Sequence, residues 1–251
     1  MTYVTAFGRR YLPRGWGDFG LQLIIWFGFG LAYQVVRGLA DRDTTRAFHN
    51  GLKVIDIESH VHALFEVSLQ RFIDHPGLLT TFANWTYWMS QFTVVGLALL
   101  FIYFRHNEYF LRVRNLLLLA NVLGLIGYVL LPTAPPRMFP SFGFMDTLSA
   151  YGSVNHQSGL IQLAANPYAA MPSLHAADAL IIGVALAMLV RPWPLKIVWL
   201  LWPAWVWFVV MATGNHFWLD VVGGIVVALL AAAVIYGIPR ILRRAEPAPS
   251  G

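Results

Sequence analysis

The chain has 251 residues, 58% of them hydrophobic and 12% charged, against about 45–50% and about 25% in an ordinary soluble domain. With a mean hydropathy of +0.60, that balance excludes a soluble globular protein and points to an all-α integral-membrane bundle, read as one domain over residues 1–251. Zero cysteines exclude thiol nucleophiles, disulfides and Cys-ligated zinc, and the net charge of +5 is scattered between apolar runs, as loop anchors are, so nucleic acid is not an expected partner.

A helix crossing about 30 Å of hydrocarbon needs roughly 20 mostly apolar residues. Six stretches approach that length: 19–36, 86–104, 116–131, 174–190, 197–212 and 217–238. The first follows Arg9, Arg10 and Arg14, but no small-residue cleavage site precedes Arg37 and Asp41, so it reads as a retained anchor rather than a signal peptide. Next, 44–74 spaces Leu52, Ile55, Val61, Leu64, Phe65, Leu69 and Phe72 in a mostly helical pattern broken near Gly51, which predicts an interfacial amphipathic helix. Within it Glu58, His60 and His62 alternate at a spacing that spreads them around a helix, and they read as solvated or headgroup-facing. The segment 132–172, rich in Pro, Gly, Ser and Asn, is too long to be mere connection and reads as an active-site loop. The fifth span is short and interrupted by Pro203; its Trp199, Trp202, Trp205 and Trp207 read as interfacial and packing material. Gly223 and Gly224 in the sixth permit close helix approach. The end, 246–251, reads as a disordered tail.

Six spans put both termini on one side. Arg9, Arg10, Arg14, Arg105, Arg112, Arg114, Arg191, Lys196, Arg240, Arg243 and Arg244 then share that side, eleven of the 17 basic residues. The positive-inside rule makes it cytoplasmic, in a plasma-membrane protein whose segments 44–74 and 132–172 are extracytoplasmic.

Parity alone then brings two histidines to one membrane face: His175 at the start of the fourth span and His216 just before the sixth. Both adjoin helix starts, whose backbone N–H groups and positive dipole end favour a bound anion. Asp220 lies four residues after His216, so on a helix its carboxylate stands beside the imidazole and can accept the Nδ1 proton, leaving the other nitrogen nucleophilic. His216 would attack phosphorus to form a phosphohistidine while His175 protonates the leaving oxygen. Arg137 could hold non-bridging phosphate oxygens bidentately, and Ser173 could add a hydroxyl contact. Asp178 either orients His175 or faces a polar gap between helices, and His156 shares the long loop.

The pairing of PSLH (172–175) with HFWLD (216–220), with a span between, resembles the type 2 phosphatidic acid phosphatase superfamily. The resemblance covers spans three to six and implies His216 as nucleophile, Asp220 as its partner and His175 as general acid. The usual first motif with its lysine is absent, and the position six before His216, arginine in the phosphatases, is Val210. PTAPPR (132–137) and NPYAAMPSLHA (166–176) instead look like the inositol phosphorylceramide synthase-like branch, whose members transfer a phospho-headgroup between lipids; this makes Arg137 a phosphate-clamp candidate.

The expected function is metal-independent and cofactor-independent phosphotransfer from a lipid phosphate or phospholipid headgroup to an alcohol, at the extracytoplasmic interface. One alternative is a lipid phosphate phosphatase with water as acceptor. Another is a metal-dependent hydrolase ligated by His175, His216, Asp220 and perhaps Asp178. A transporter would more naturally show repeated halves and mid-membrane charges, and a lipid-binding scaffold would have no activity to lose on His216→Ala.

Overall fold

Backbone polar groups have no water to bond to inside a bilayer, so apolar sequence of this length satisfies them within helices. The computed structural model describes residues 12–39, 43–151 and 168–237, and among them every regular element is helical apart from one isolated bridge, Thr133 to Ala169. His156 and the 246–251 tail lie outside the described residues.

The elements run α1 (Gly15–Leu39), α2 (Thr44–His60), α3 (Glu66–Ile73), α4 (Leu78–Arg105, with a π turn at Ser90–Val94), α5 (Asn107–Leu130), α6 (Thr147–Tyr151), α7 (Leu174–Leu189), α8 (Trp193–Ala212) and α9 (Trp218–Ala232, ending in a π turn to Gly237). Five of these, α1, α4, α5, α8 and α9, are long and apolar enough to cross a membrane. The fourth expected span is α7, a shorter apolar helix of 16 residues.

α7 is the hub. It packs against α8, α9 and α5, and ten of its 16 residues are buried, among them Ala176, Ala177, Ala179 and Gly183. Small side chains let its neighbours approach closely. Gly183 faces Pro203 of α8 and the Trp199 carbonyl, which Pro203 leaves without its usual i+4 donor. α8 therefore continues through Pro203 for 20 residues, and the interruption expected there does not occur. By contrast α1 is peripheral, with Ile24, Phe27 and Leu31 about 70% exposed on its outer face.

Two other expectations are corrected. α4 and α5 begin at Leu78 and Asn107 rather than at 86 and 116. The less apolar stretches before the long apolar runs, 78–85 in α4 and 107–115 in α5, are helical too, while a reading by apolar length registers only the hydrophobic part; Arg114 in the second of them pairs with Gln22 and Asn115. The 44–74 segment is two helices broken at 61–65, where His62 takes φ +53°, and not at Gly51. Gly51 is mid-helix because the Phe139 ring lies where a Cβ would be. The buried face of α2 is Ala47, Gly51, Val54, Ile55 and Glu58, whereas Leu52, Val61, Phe65 and Phe72 are exposed. Glu58, expected in solvent, is fully buried, while His60 and His62 are exposed as expected.

The first part of the long loop is ordered over this end of the bundle. Ala134 N–H donates to Ala47 C=O at 3.0 Å, and Phe139 packs on Phe48 and Phe217. Gln70 of α3 holds Met145 by both backbone groups, donating to its C=O at 2.7 Å and accepting its N–H at 3.1 Å.

α9 crosses α7 where a Cβ on Gly224 would collide with the Ser173 carbonyl and crowd Ala176. Gly224→Ala is therefore expected to destabilise the protein by about 1–3 kcal/mol. Gly20→Ala on α1, where no atom lies within 4 Å, should be neutral or slightly stabilising, by up to about 1 kcal/mol. Thermal melting of the two variants in detergent separates packing from helix propensity.

Candidate functional site

The chain leaves α8 through a tight turn. Gly214 takes φ +71°, and a Cβ there would meet Gln70 and the Met145 carbonyl, so glycine is required on both counts. The N–H groups of Asn215 and His216 both donate to Val210 C=O, at 3.1 and 3.0 Å. Arg137 docks on this turn twice: its N–H donates to Gly214 C=O at 2.9 Å, and its Nη1 to Asn215 Oδ1. Asn215 is oriented by donating to Thr213 Oγ1 at 2.9 Å. Val210 itself is fully buried in an apolar cluster with Ala176, Ala179, Val206 and Val221, so the guanidinium reaches this place from the loop rather than from α8.

His216 is buried, and its Nδ1 lies 3.4 Å from Asp220 Oδ2, one turn into α9. The Asp220 carboxylate is itself fixed by accepting the Phe217 N–H at 2.9 Å. The start of α7 is tied to the same turn, because Ser173 N–H donates to Asp220 C=O at 2.8 Å. Ser173 caps α7, its Oγ accepting the Ala176 N–H at 3.3 Å, and is fully buried. This tether brings the half-buried His175 beside His216, with ring centroids 5.9 Å apart. On its other side His175 stacks on Tyr87 of α4, at 4.7 Å and 20°.

The expected pair of open helix N-termini is corrected in one respect. The first N–H groups of α9 are taken: Trp218 N–H donates to Glu66 Oε1 at 2.7 Å and Leu219 N–H to Glu58 Oε1 at 3.1 Å. Side-chain carboxylates thus occupy the position where a phosphate was expected. Asp178 faces a polar gap, accepting from Asn121 Nδ2 at 2.9 Å. Among the described residues no group of three His, Asp or Glu side chains is placed to hold a metal ion.

Five of the residues singled out by sequence, Arg137, Ser173, His175, His216 and Asp220, therefore gather round one turn. Four more were missed. Tyr87 stands in no motif, and Asn215 looked like part of a helix start. Glu58 looked solvated and Glu66 stood in no pattern; with a break between their two helices, the sequence carries no signal that pairs them.

The family model described as the PAP2 superfamily matches residues 52–234, from the middle of α2 to the end of α9. The chain belongs to the PAP2 superfamily. All nine residues just named fall inside that match, and α1 falls outside it. This PAP2 protein is also similar to phosphoinositol dihydroceramide synthase from Bacteroides thetaiotaomicron, with 27% identity over 185 residues, 67% of this chain and 60% of that protein. It therefore spans less than two thirds of that relative's length. No solved structure matches it.

Aromatic stacking of the Tyr87–His175 kind contributes about 0.5–1.5 kcal/mol. Tyr87→Ala is accordingly expected to lower turnover of a lipid phosphate by about three- to tenfold, since 1.4 kcal/mol is about a factor of ten. Tyr87→Phe, which keeps the ring, should stay near the parent rate; steady-state kinetics of the two variants check this.

Proposed function

We propose that this PAP2 protein is a membrane-embedded phosphotransferase that moves a phosphate-bearing headgroup from one lipid to an alcohol on another through a covalent intermediate on His216. The observation that carries the reading is the pair of imidazoles 5.9 Å apart, with Asp220 behind His216. His216 Nε2 attacks phosphorus while Asp220 holds the proton on Nδ1; an N–P bond forms, the P–O bond to the donor lipid breaks, and His175 gives its proton to the leaving oxygen. His175, now a base, takes the proton of the acceptor hydroxyl, whose oxygen bonds to phosphorus as the N–P bond breaks. Arg137 balances charge on the non-bridging oxygens, and Ser173, whose oxygen already accepts an N–H, contributes through its own O–H.

The relative's name supports an inositol phospholipid as donor and a dihydroceramide-like alcohol as acceptor. The loop clamped by Gln70 and Phe139 over the site supports transfer over hydrolysis, because excluding water protects the intermediate. Hydrolysis of a lipid phosphate is the alternative outcome of the same chemistry. An apolar cavity of about 640 Å³ between α1, α4 and α5 reaches Asp178, one turn along α7 from His175, and suits a lipid chain. α7, about 24 Å long at 1.5 Å per residue, completes a six-span topology because protein rather than lipid surrounds it. Both termini are then cytoplasmic and the site extracytoplasmic.

Purified protein supplied with labelled inositol phospholipid should yield a new phosphodiester on an added ceramide, identified by mass. Free phosphate or inositol phosphate as sole product would favour hydrolysis. His216→Ala should abolish either activity and the acid-labile label on the protein, and His175→Ala should slow turnover by about 10²–10⁴-fold. A chelator should leave the rate unchanged; its loss would favour the metal-dependent alternative.

A further inference from the structure

The capping of α9 by two glutamates has its own chemistry. Each uses Oε1 to accept one N–H of the first turn, Glu58 from Leu219 and Glu66 from Trp218. Their other oxygens, Glu58 Oε2 and Glu66 Oε2, are buried with no hydrogen-bond partner, and both residues have no exposed surface. Because the two N–H groups they accept are consecutive in the chain, the two carboxyl groups lie side by side. Their unpartnered oxygens can satisfy each other only with a proton between them, since an ionised carboxylate only accepts. A third buried carboxyl group, Asp220, stands in the same first turn of α9, with His216 Nδ1 3.4 Å from its Oδ2.

We propose that Glu58 and Glu66 share one proton and act as a positioning pair, locking α2 and α3 to the first turn of α9 and so fixing where Asp220 and His216 stand. Two helices from one segment are joined to the start of another by two observed hydrogen bonds, Leu219 N–H to Glu58 and Trp218 N–H to Glu66, next to the Phe217 N–H that Asp220 accepts, and the shared proton links the two glutamates. The single shared proton keeps three adjacent buried carboxyl groups from all being ionised, a state that like-charge repulsion and desolvation both oppose.

Titration follows the same logic. Burial first, and then the charge of Glu66, pushes Glu58 up from 4.5 to about 9, and burial raises Glu66 as well. The folded state thus binds a proton that the unfolded chain releases above 4.5. The sign is that stability is highest below that value, falls as pH rises, and the clamp is lost as pH passes through about 9.

The role in catalysis rests on the reading of His216 above, so the test includes readouts independent of turnover. The full chain in lipid nanodiscs would be followed by thermal melting against pH, by the infrared carbonyl stretch of protonated carboxyl groups, and by kcat and KM with labelled inositol phospholipid and ceramide. A glutamine at either position keeps the carbonyl acceptor and supplies a permanent N–H donor in place of the shared proton. Glu58→Gln and Glu66→Gln should therefore each keep the parent melting temperature at neutral pH, lose part of the protonated-carboxyl band, and abolish the alkaline fall in stability and in kcat. The double variant sets two amide NH₂ groups face to face and should lose both stability and kcat, by about tenfold or more in rate, with little change in KM. Single variants with an unchanged alkaline limb and carboxyl band, or a double variant as good as the singles, would overturn the proposal. The melting and infrared pattern without turnover of any lipid phosphate would support the shared proton and sink the transferase reading instead.

Discussion

The arrangement of the site depends on one backbone crossing. Gly224 lets the chain at Ser173 lie directly on α9, and the Ser173 N–H reaches the Asp220 carbonyl at 2.8 Å. Without that approach the starts of α7 and α9 would be held apart by a side chain, and His175 and His216 with them. The donor is the Ser173 N–H at the cap of α7, which has no intrahelical partner, and the acceptor is the Asp220 carbonyl, which has a second lone pair to offer. A contact between helix starts therefore costs no intrahelical hydrogen bond, whereas one made mid-helix would.

Around that crossing, the other elements work as supports of a particular kind. The loop brings Arg137 to the α8–α9 turn through one backbone and one side-chain hydrogen bond, and Gln70 holds the loop by both groups of Met145. These supports are hydrogen bonds, backbone to backbone, side chain to side chain and, at Gln70, side chain to backbone, and a hydrogen bond is directional and fails abruptly when misaligned. Apolar packing of the kind that fills the membrane part of the bundle tolerates more. The polar supports are concentrated at one end of the molecule, and that is where the two imidazoles are.

The all-helical bundle and the closeness of His175, His216 and Asp220 were readable from apolar run length and helix periodicity. What escaped was of a different kind. Glu58 and Tyr87 act across distances of more than 80 residues in sequence, on Leu219 and His175, and local pattern carries no record of a partner so far away. Glu58 was misread because a carboxylate on an amphipathic helix ordinarily faces water, and only the tertiary contact with the α9 N-terminus makes burial favourable. Pro203 was misread as a break because the neighbouring glycine that accommodates it, Gly183, lies on another helix. The less apolar leading stretches of α4 and α5 were invisible to a criterion built on hydrophobic length.

The shielding of α7 separates two influences that a bilayer could exert. Most of its residues touch protein, and its small, buried side chains leave little surface for acyl chains to press upon. Changes in membrane thickness or lipid order are borne first by the outer rods, α1 above all, through tilt and local deformation at fractions of a kcal/mol per Å. Altered lipid composition should therefore change how readily substrates arrive, through the periphery, while leaving the spacing of the two imidazoles nearly constant.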